Sequence, residues 1–310
     1  MKEIKKVHFN QLAFSIVVMM VFFLGSCQNE LPERPVAREG QNSGSSGNTT
    51  ISNASQSNID LGNWKVTLPI PRSDGKPLEV EPPEILNYAR NETLQQFMYD
   101  DLSDGSLVFY TYPGSTTANS SFSRTELREQ LIPGSNNTNW TFAQGGKMKG
   151  TLAVPEISKK SNGDLHRTMI MQIHGRLTNV QRDLIGEDDN NAPPMLKIYW
   201  QDNKIYVRTK QLKNTNGTYE EILETDAWTD DNGRYFAKTV GTDTFTLEVE
   251  VSDGRMAVTL DDAETFVYDD IHIQKWGVFE NYFKAGNYLQ TTDAGAFAQV
   301  KYYSLEISHD

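Results

Sequence analysis

Short runs rich in apolar residues, separated by polar turn sequences, fill the chain from about residue 59 to its C-terminus. They are rich in β-branched and aromatic residues, which favour strands, and cover 64–70, 106–112, 147–154, 168–176, 196–200, 204–210, 244–252, 255–260 and 297–307. Pairs such as Asn162-Gly163 and Asp253-Gly254 predict tight reversals between them. One short helix is predicted near residues 83–88. This pattern predicts an all-β jelly-roll sandwich of two antiparallel sheets with a substrate groove.

Residues 1–27 have a different pattern, in which Lys2, Lys5 and Lys6 precede an apolar stretch that ends in Leu-Gly-Ser-Cys. This order is typical of a secretory signal peptide, and the apolar run is short for a membrane span. The ending resembles the lipobox of bacterial lipoproteins, whose cysteine is lipidated. We therefore expect a lipoprotein anchored to the outer or inner membrane through Cys27, most simply at the outer membrane, on the cell surface or in the periplasm.

Residues 28–58 are rich in Ser, Asn, Gly and Gln and almost lack large apolar residues. Such a segment cannot bury a core, and it predicts a flexible tether. The folded domain is expected to span residues 59–310.

Charge and cysteine content exclude several classes of function. The net charge of −12 argues against nucleic-acid binding, which needs a basic field, whereas an anionic substrate needs only a local basic cluster. Cys27 is the only cysteine, so the domain has no disulfide, Cys-based zinc site or thiol nucleophile. The five histidines lack ligand spacing. We expect no metal, no cofactor and a monomer.

The segment 123–130 carries polar residues on one face of a predicted strand. Alternation places Arg124, Glu126, Arg128 and Gln130 together. Two arginines flanking a carboxylate would hold one another in place. Their guanidinium groups would present paired N–H donors suited to the planar carboxylate of a ligand. A solvated edge strand with cross-strand ion pairs explains this segment equally well.

The segment 169–176 places Gln172, His174 and Arg176 on one face of an otherwise apolar strand. Polar groups there must find partners or line a cleft, because unpaired burial is costly. A lone histidine would more often be structural, but the neighbouring Gln and Arg favour a site.

The segment 281–290 forms a third polar face. Its members are Tyr282, Lys284, Gly286, Tyr288 and Gln290. Gly286 is expected to leave space where a ligand approaches the backbone. An ordinary strand with a lysine that extends to solvent is the alternative.

Arg, Gln, His, Lys and Tyr together suit β-elimination on a uronic acid polymer. A base removes the C5 proton beside the carboxylate, and the C4–oxygen bond breaks to leave a C4–C5 double bond. Arg and Gln can neutralise the carboxylate, while His or Tyr can move protons. Glycoside hydrolysis needs two carboxylates, and Glu126 has no comparable partner. The acidic tract 187–190 matches no calcium-loop pattern.

The three segments resemble the signature motifs of the alginate lyases of polysaccharide lyase family 7. They are Arg-Thr-Glu-Leu-Arg at 124–128, Gln-Ile-His at 172–174 and Tyr-Phe-Lys-Ala-Gly-Asn-Tyr at 282–288. The resemblance implies that these strands line a groove that binds alginate or a related polyuronate.

The resemblance also implies residue roles and a product. Arg124 and Gln172 would neutralise the substrate carboxylate; His174 would assist them or act as base at guluronate; and Tyr288 would be the acid, and the base at mannuronate. Four more residues would bind neighbouring sugars or hold the others: Glu126, Arg128, Lys284 and Gln290. The products would be 4,5-unsaturated oligosaccharides. Ile173 accompanies activity on guluronate-containing blocks in this family, which makes these blocks the expected preference.

Two alternatives remain open from the residues alone. A non-catalytic carbohydrate-binding sandwich would bind alginate without forming a double bond. A hydrolase of a neutral glucan would release reducing ends without an ultraviolet chromophore.

Overall fold

The computed structural model describes residues 57–309, and its strands form two antiparallel sheets. The expected signal peptide, the lipidation site Cys27 and residues 28–56 of the expected tether lie outside the described residues. Ser57 already contacts the domain, because its hydroxyl lies 2.8 Å from Tyr88 Oη and its backbone N–H donates to Asp100 at 3.2 Å. The folded part therefore includes Ser57, which precedes the expected start at Ile59.

Seventeen strands are numbered along the described chain. They are β1 (Trp64–Pro71), β2 (Pro77–Val80), β3 (Met98–Asp101), β4 (Ser106–Thr111), β5 (Arg124–Glu129), β6 (Trp140–Thr141), β7 (Gly146–Ile157), β8 (Thr168–Arg176), β9 (Asn191–Gln201), β10 (Lys204–Leu212), β11 (Trp228–Asp230), β12 (Arg234–Thr239), β13 (Phe245–Ser252), β14 (Arg255–Leu260), β15 (Glu264–Tyr268), β16 (Glu280–Leu289) and β17 (Ala298–Ser308).

The first sheet has the order β11-β10-β9-β8-β16-β5-β1-β2, with β12 paired to β10 and β6 paired to β16. The second sheet has the order β15-β14-β13-β7-β17-β4-β3. Strands that are distant in sequence are thus neighbours in space. The arrangement is the predicted jelly-roll sandwich of two antiparallel sheets.

Within the described residues, helices are short and lie in the connections. Three are α-helices: α1 (Asn179–Ile185), α2 (Tyr219–Leu223) and α3 (Ile271–Trp276). Three are 3-10 helices: Glu84–Arg90, Leu94–Gln96 and Thr225–Ala227. The helix predicted near 83–88 is therefore present as a 3-10 helix. Within residues 57–309, no helix has the length and apolarity needed to cross a membrane.

The core lies between the two sheets and is built from alternate residues of each strand. In β13, Phe245, Leu247 and Val249 are buried while the residues between them are partly exposed. In β16, Phe283 and Ala285 are fully buried on the corresponding inner face of the first sheet. Each fully buried large apolar side chain stabilises the fold by about 1.5–3 kcal/mol. The opposite face of these strands is left for polar residues.

Asn287 ties the strand β16 to both sheets from its inner side. Its Nδ2 donates to the carbonyl oxygens of Phe109 at 3.0 Å and Ala298 at 2.7 Å, both in the second sheet. Its Oδ1 accepts from the Thr168 hydroxyl at 2.7 Å on β8. A fully buried amide with all these partners fixes the position of β16, and hence that of the next residue, Tyr288.

Candidate active site

The three polar segments form adjacent strands of the first sheet. β16 lies between β8 and β5 and pairs antiparallel with both. Residues two apart share a strand face, so the polar side chains of the three strands collect on the face away from the core. The paired positions are Lys284 with Gln172 and with Arg128, Tyr282 with His174, and Tyr288 with Arg124.

Glu126 is a buried anion at the centre of this face, with a side chain that is 1% exposed. It accepts from Arg124 Nη1 at 3.0 Å, pairs with Lys284 Nζ and accepts from Gln172 Nε2. Burial alone would raise the pKa of Glu126, but the charges of Lys284 and Arg124 and the hydrogen bonds from Lys284 and Gln172 outweigh it, so the pKa lies below its ordinary value.

This position favours one of the two roles expected of Glu126. Its carboxylate is withdrawn from solvent and already binds three donors, so it is placed to hold the other site residues.

Lys284 gives the site a surplus of positive charge. Burial and the charge of Arg124 lower the pKa of Lys284 to about 8, although Glu126 opposes this. Glu126 is shared between Lys284 and Arg124, and Arg128 lines the same cleft. The result is a local basic cluster within a chain of net charge −12, as a polyanionic substrate requires.

His174 is half-buried on the cleft face, with its ring stacked on that of Tyr282 at 5.2 Å between centroids. Its Nδ1 lies 3.0 Å from the Gly175 carbonyl oxygen. A carbonyl only accepts, so Nδ1 carries the proton of the neutral ring and Nε2 keeps a lone pair. Withdrawal from water and the charges of Lys284 and Arg124 lower the pKa of His174 to about 3. His174 is thus a neutral ring with a proton-accepting nitrogen.

Tyr288 is held by Arg124 and by a residue from the loop between β4 and β5 (residues 112–123). The Arg124 guanidinium lies over the Tyr288 ring at 3.8 Å from its centroid. The Tyr288 hydroxyl lies 2.6 Å from Ser120 Oγ, which also accepts from Arg124 Nη2 at 2.9 Å. The ring of Phe122 packs edge-on against Tyr288. Arg124 therefore links Tyr288 to the Glu126 cluster.

Arg128 has different partners from those expected. Instead of pairing with Glu126, it donates to the Glu129 carbonyl oxygen at 2.8 Å and to Asn139 Oδ1 at 2.9 Å, and it lies over the Tyr282 ring at 4.1 Å. The neighbouring strand β16 brings Lys284 to Glu126, so Lys284 takes the place that Arg128 was expected to fill.

The two glutamines occupy different environments. Gln172 is 2% exposed and uses one of its two amide hydrogens on Glu126, which leaves the second for a ligand. Gln290 lies beyond the end of β16, donates to the Tyr288 carbonyl oxygen at 3.0 Å and lines a separate cavity of about 310 Å³. Because β16 ends at Leu289, Gln290 does not share the cleft with Lys284, contrary to expectation.

The structure explains the glycine at position 286 differently from the sequence, which predicts space for a ligand. The φ of Gly286 is +134°, and an added Cβ would lie 2.7 Å from the Thr125 carbonyl oxygen of β5. The pairing of β16 with β8 also shifts between Ala285 and Tyr288, so the strand is irregular here. The glycine therefore allows close approach of β5, and no ligand is needed to explain it.

The polar face opens into a cleft of about 900 Å³, near the upper end of the range of about 300–1,000 Å³ for ligand pockets. Arg124, Arg128, His174 and Lys284 line it. Tyr288 lies against Arg124 beside the cleft, and Gln172 is linked to Arg124 and Lys284 through Glu126. The acidic tract 187–190 forms part of the wall. Residues 57–309 contain no group of three or more His, Cys, Asp or Glu side chains that could hold a metal ion.

Ser120 is a site residue that the sequence pattern does not identify. It lies in a loop, where no strand periodicity assigns a face, and serine is common in such loops. Tyr282 appears in the predicted polar row, but its stacking on His174 depends on the pairing of β16 with β8.

Comparison with known families gives a match over the same part of the chain. The family model described as alginate lyase matches residues 59–309. No curated protein sequence matches the chain.

Solved structures of alginate lyases superpose on the chain. Alginate lyase A1-II′, a member of polysaccharide lyase family 7, has a TM-score of 0.64 at 30% identity and covers 83% of this chain and 98% of its own. A variant of that enzyme in complex with the substrate GGMG has a TM-score of 0.62 at 30% identity, with 84% and 97% covered. An alginate lyase from Pseudomonas aeruginosa shares the fold, with a TM-score of 0.59 at 20% identity and 81% and 100% covered.

Proposed function

The chain belongs to the alginate lyases of polysaccharide lyase family 7, and from this membership we propose that it cleaves guluronate-containing blocks by β-elimination and leaves 4,5-unsaturated ends. The observation that carries the proposal is the pairing of a cationic cluster, fixed by Glu126, with a neutral imidazole that has a free acceptor nitrogen. An ionised carboxylate acidifies its neighbouring C5–H poorly, so both features are needed.

The first task is to neutralise the carboxylate of the sugar that reacts. Arg124 lines the cleft, and Gln172 has an amide hydrogen to spare. Both donors are fixed by Glu126, so they need no reorganisation when charge develops on the carboxylate. Lys284 adds positive charge beside them.

The second task is to remove the C5 proton. The Nε2 atom of His174 is the acceptor in the tautomer set by Gly175. Burial is the largest cause of the lowered pKa of His174, and the charges of Lys284 and Arg124 add to it. A substrate carboxylate would neutralise the contribution of these two cations and so favour proton uptake by His174.

The third task is to protonate the oxygen that leaves C4. Tyr288 supplies this proton, and Arg124 over its ring stabilises the phenolate that forms. Mannuronate and guluronate are epimers at C5, so their C5 hydrogens point to opposite faces of the sugar. In our proposal His174 takes the proton of guluronate. At mannuronate, a deprotonated Tyr288 takes the C5 proton and then passes that same proton to the leaving C4 oxygen.

Preference for guluronate rests on His174 and on the resemblance carried by Ile173. Ile173 is fully buried in the core, so its influence on the substrate would be indirect, through the position of the strand β8. A relative at 30% identity was solved with the substrate GGMG.

The function is tested by incubating the full chain with polyguluronate, polymannuronate and native alginate. We expect ultraviolet absorbance from the new double bond, oligosaccharides one water lighter than hydrolysis products, and the highest rate on polyguluronate. Binding without a double bond would support a carbohydrate-binding module instead, and saturated reducing ends would support a hydrolase.

We also propose that the enzyme is a monomeric lipoprotein anchored through Cys27. The support is the sequence of residues 1–27, which lie outside the described residues. The wild-type protein should partition with the membrane fraction of a bacterial host, and Cys27→Ala should release it. Equal partitioning of both proteins would contradict the anchor, and sedimentation of the released protein as a dimer would contradict the monomer.

A further inference from the structure

Ser120 is the only described residue outside the motif strands whose side chain bonds both Arg124 and Tyr288. It lies in the β4–β5 loop, whose residues Thr117, Ala118 and Asn119 line the large cleft. It is half-buried, and the residue that follows it, Ser121, is exposed. The contact therefore depends on one particular hydroxyl and not on a general property of the loop.

A serine hydroxyl has one proton to donate and two lone pairs that accept. Ser120 Oγ accepts from Arg124 Nη2 at 2.9 Å and from the Phe122 backbone N–H at 3.3 Å, and it lies 3.0 Å from the Phe122 carbonyl oxygen, to which it can donate. The Tyr288 hydroxyl is 2.6 Å away, and when it donates it shares a lone pair of Ser120 with the longer Phe122 N–H contact. Arg124 always donates, so the Ser120 proton has two alternative acceptors: the Phe122 carbonyl and the Tyr288 oxygen.

We propose that Ser120 is a positioning residue for Tyr288. During the reaction the hydroxyl proton of Ser120 turns from the Phe122 carbonyl oxygen to the Tyr288 oxygen. This inference rests on the proposed function of Tyr288. In the free enzyme the phenol donates to Ser120, and Ser120 donates to Phe122. When the phenol donates to the glycosidic oxygen, Ser120 turns and donates to the Tyr288 oxygen, both aiming the phenolic proton and stabilising the phenolate that remains.

The proton count of the step balances. The C5 proton goes to His174, the phenolic proton goes to the leaving C4 oxygen, and the bond between C4 and that oxygen breaks as the C4–C5 double bond forms. Ser120 keeps its own proton and changes only its acceptor. Exchange with water then returns a proton to the phenolate and removes one from the imidazolium.

Ser120→Ala tests the proposal, with Ser120→Thr as the variant that keeps the hydroxyl and Ser121→Ala as the matched control on the same loop. Removing a hydrogen bond to a charged group lowers a rate by about 10- to 100-fold. We expect this loss in the kcat of Ser120→Ala, with KM nearly unchanged. Ser120→Thr should recover most of the rate, and Ser121→Ala should match the wild type. A merely structural role would loosen the cleft-lining loop and raise KM.

A double variant separates action through Tyr288 from action through Arg124. In a Tyr288→Phe background, Ser120→Ala should not lower the residual rate of double-bond formation further, because the hydroxyl that it serves is absent. Full activity of Ser120→Ala, a rise in KM alone, or an equal loss in both backgrounds would overturn the inference. Wild-type protein that forms no unsaturated product would instead refute the proposed function.

Discussion

At the scale of single residues, the site is organised around one carboxylate that does not face the solvent. Glu126 fixes Arg124, Lys284 and Gln172 before any substrate arrives. Two cations share this one anion, so the cluster keeps a net positive charge. Desolvated ion pairs are costly to break on one side, because the remaining charge is left buried without its partner.

Removing the negative charge of Glu126 should therefore destabilise the fold as well as reduce activity. We expect Glu126→Gln to lower the free energy of unfolding by about 3–5 kcal/mol, measured by denaturant unfolding. Asp74→Asn is the control, since Asp74 and its partner Arg72 are 47% and 42% exposed, so neither charge is left buried when the pair is broken. The free energy of unfolding should change little in this variant, because exposed ion pairs contribute little to stability. Equal losses in the two variants would argue against a special role for the buried carboxylate.

Lys284 should give the enzyme an alkaline limit. Its pKa of about 8 means that Lys284 is a cation below pH 8 and becomes neutral above it. The cleft then loses positive charge, so kcat/KM on alginate should fall as the pH rises through about 8. In Lys284→Arg the guanidinium stays charged, and the fall should move to higher pH. If the fall in kcat/KM at alkaline pH is unchanged in a folded Lys284→Arg variant, another group controls that fall.

At the scale of elements, β16 carries much of the site and is irregular at its centre. Gly286 lets β5 approach closely, while Asn287 anchors the strand to the second sheet. Tyr288 follows directly after both residues. The irregular segment therefore determines where the phenol lies relative to Arg124 on the paired strand.

A side chain at Gly286 should push β16 and β5 apart. We expect Gly286→Ala to destabilise the protein by about 2–5 kcal/mol, from backbone strain and overpacking, and to reduce activity strongly. Gly105→Ala is matched, because Gly105 also has a positive φ, of +73°, but an added Cβ there would meet nothing within 4 Å. It should cost about 1–2 kcal/mol and leave activity intact. Calorimetry and the ultraviolet assay would reveal whether the two variants differ as expected.

At the scale of the whole molecule, the sequence predicts the architecture better than it predicts the contacts between side chains. Residues 168–176 and 255–260 are predicted as strands with the bounds that β8 and β14 have, because both are apolar runs rich in β-branched residues. The strands β2, β3, β6 and β11 are not predicted, since strands of two to four residues are too short to show a period. The longer strands β12 and β15 are also missing from the prediction. The order of the sheets follows from long-range pairing, which local patterns do not encode.

The same limit explains which site features the sequence missed. Alternation placed Arg124, Glu126 and Arg128 on one face, but could not say that Lys284 from another strand would replace Arg128 at Glu126. It extended the third polar face to Gln290, although the strand ends one residue earlier. Ser120 gave no periodic signal because it is in a loop.

The most direct test of the mechanism compares His174→Ala and Tyr288→Phe on polyguluronate and polymannuronate, with Ser121→Ala as the control and melting temperatures to verify folding. Initial rates of double-bond formation are followed by ultraviolet absorbance. We predict that His174→Ala loses about 10²- to 10⁴-fold on polyguluronate and clearly less on polymannuronate, whereas Tyr288→Phe loses both activities. Wild-type rates on polyguluronate in a folded His174→Ala variant, or on either polymer in Tyr288→Phe, would contradict the proton transfers assigned to these two residues.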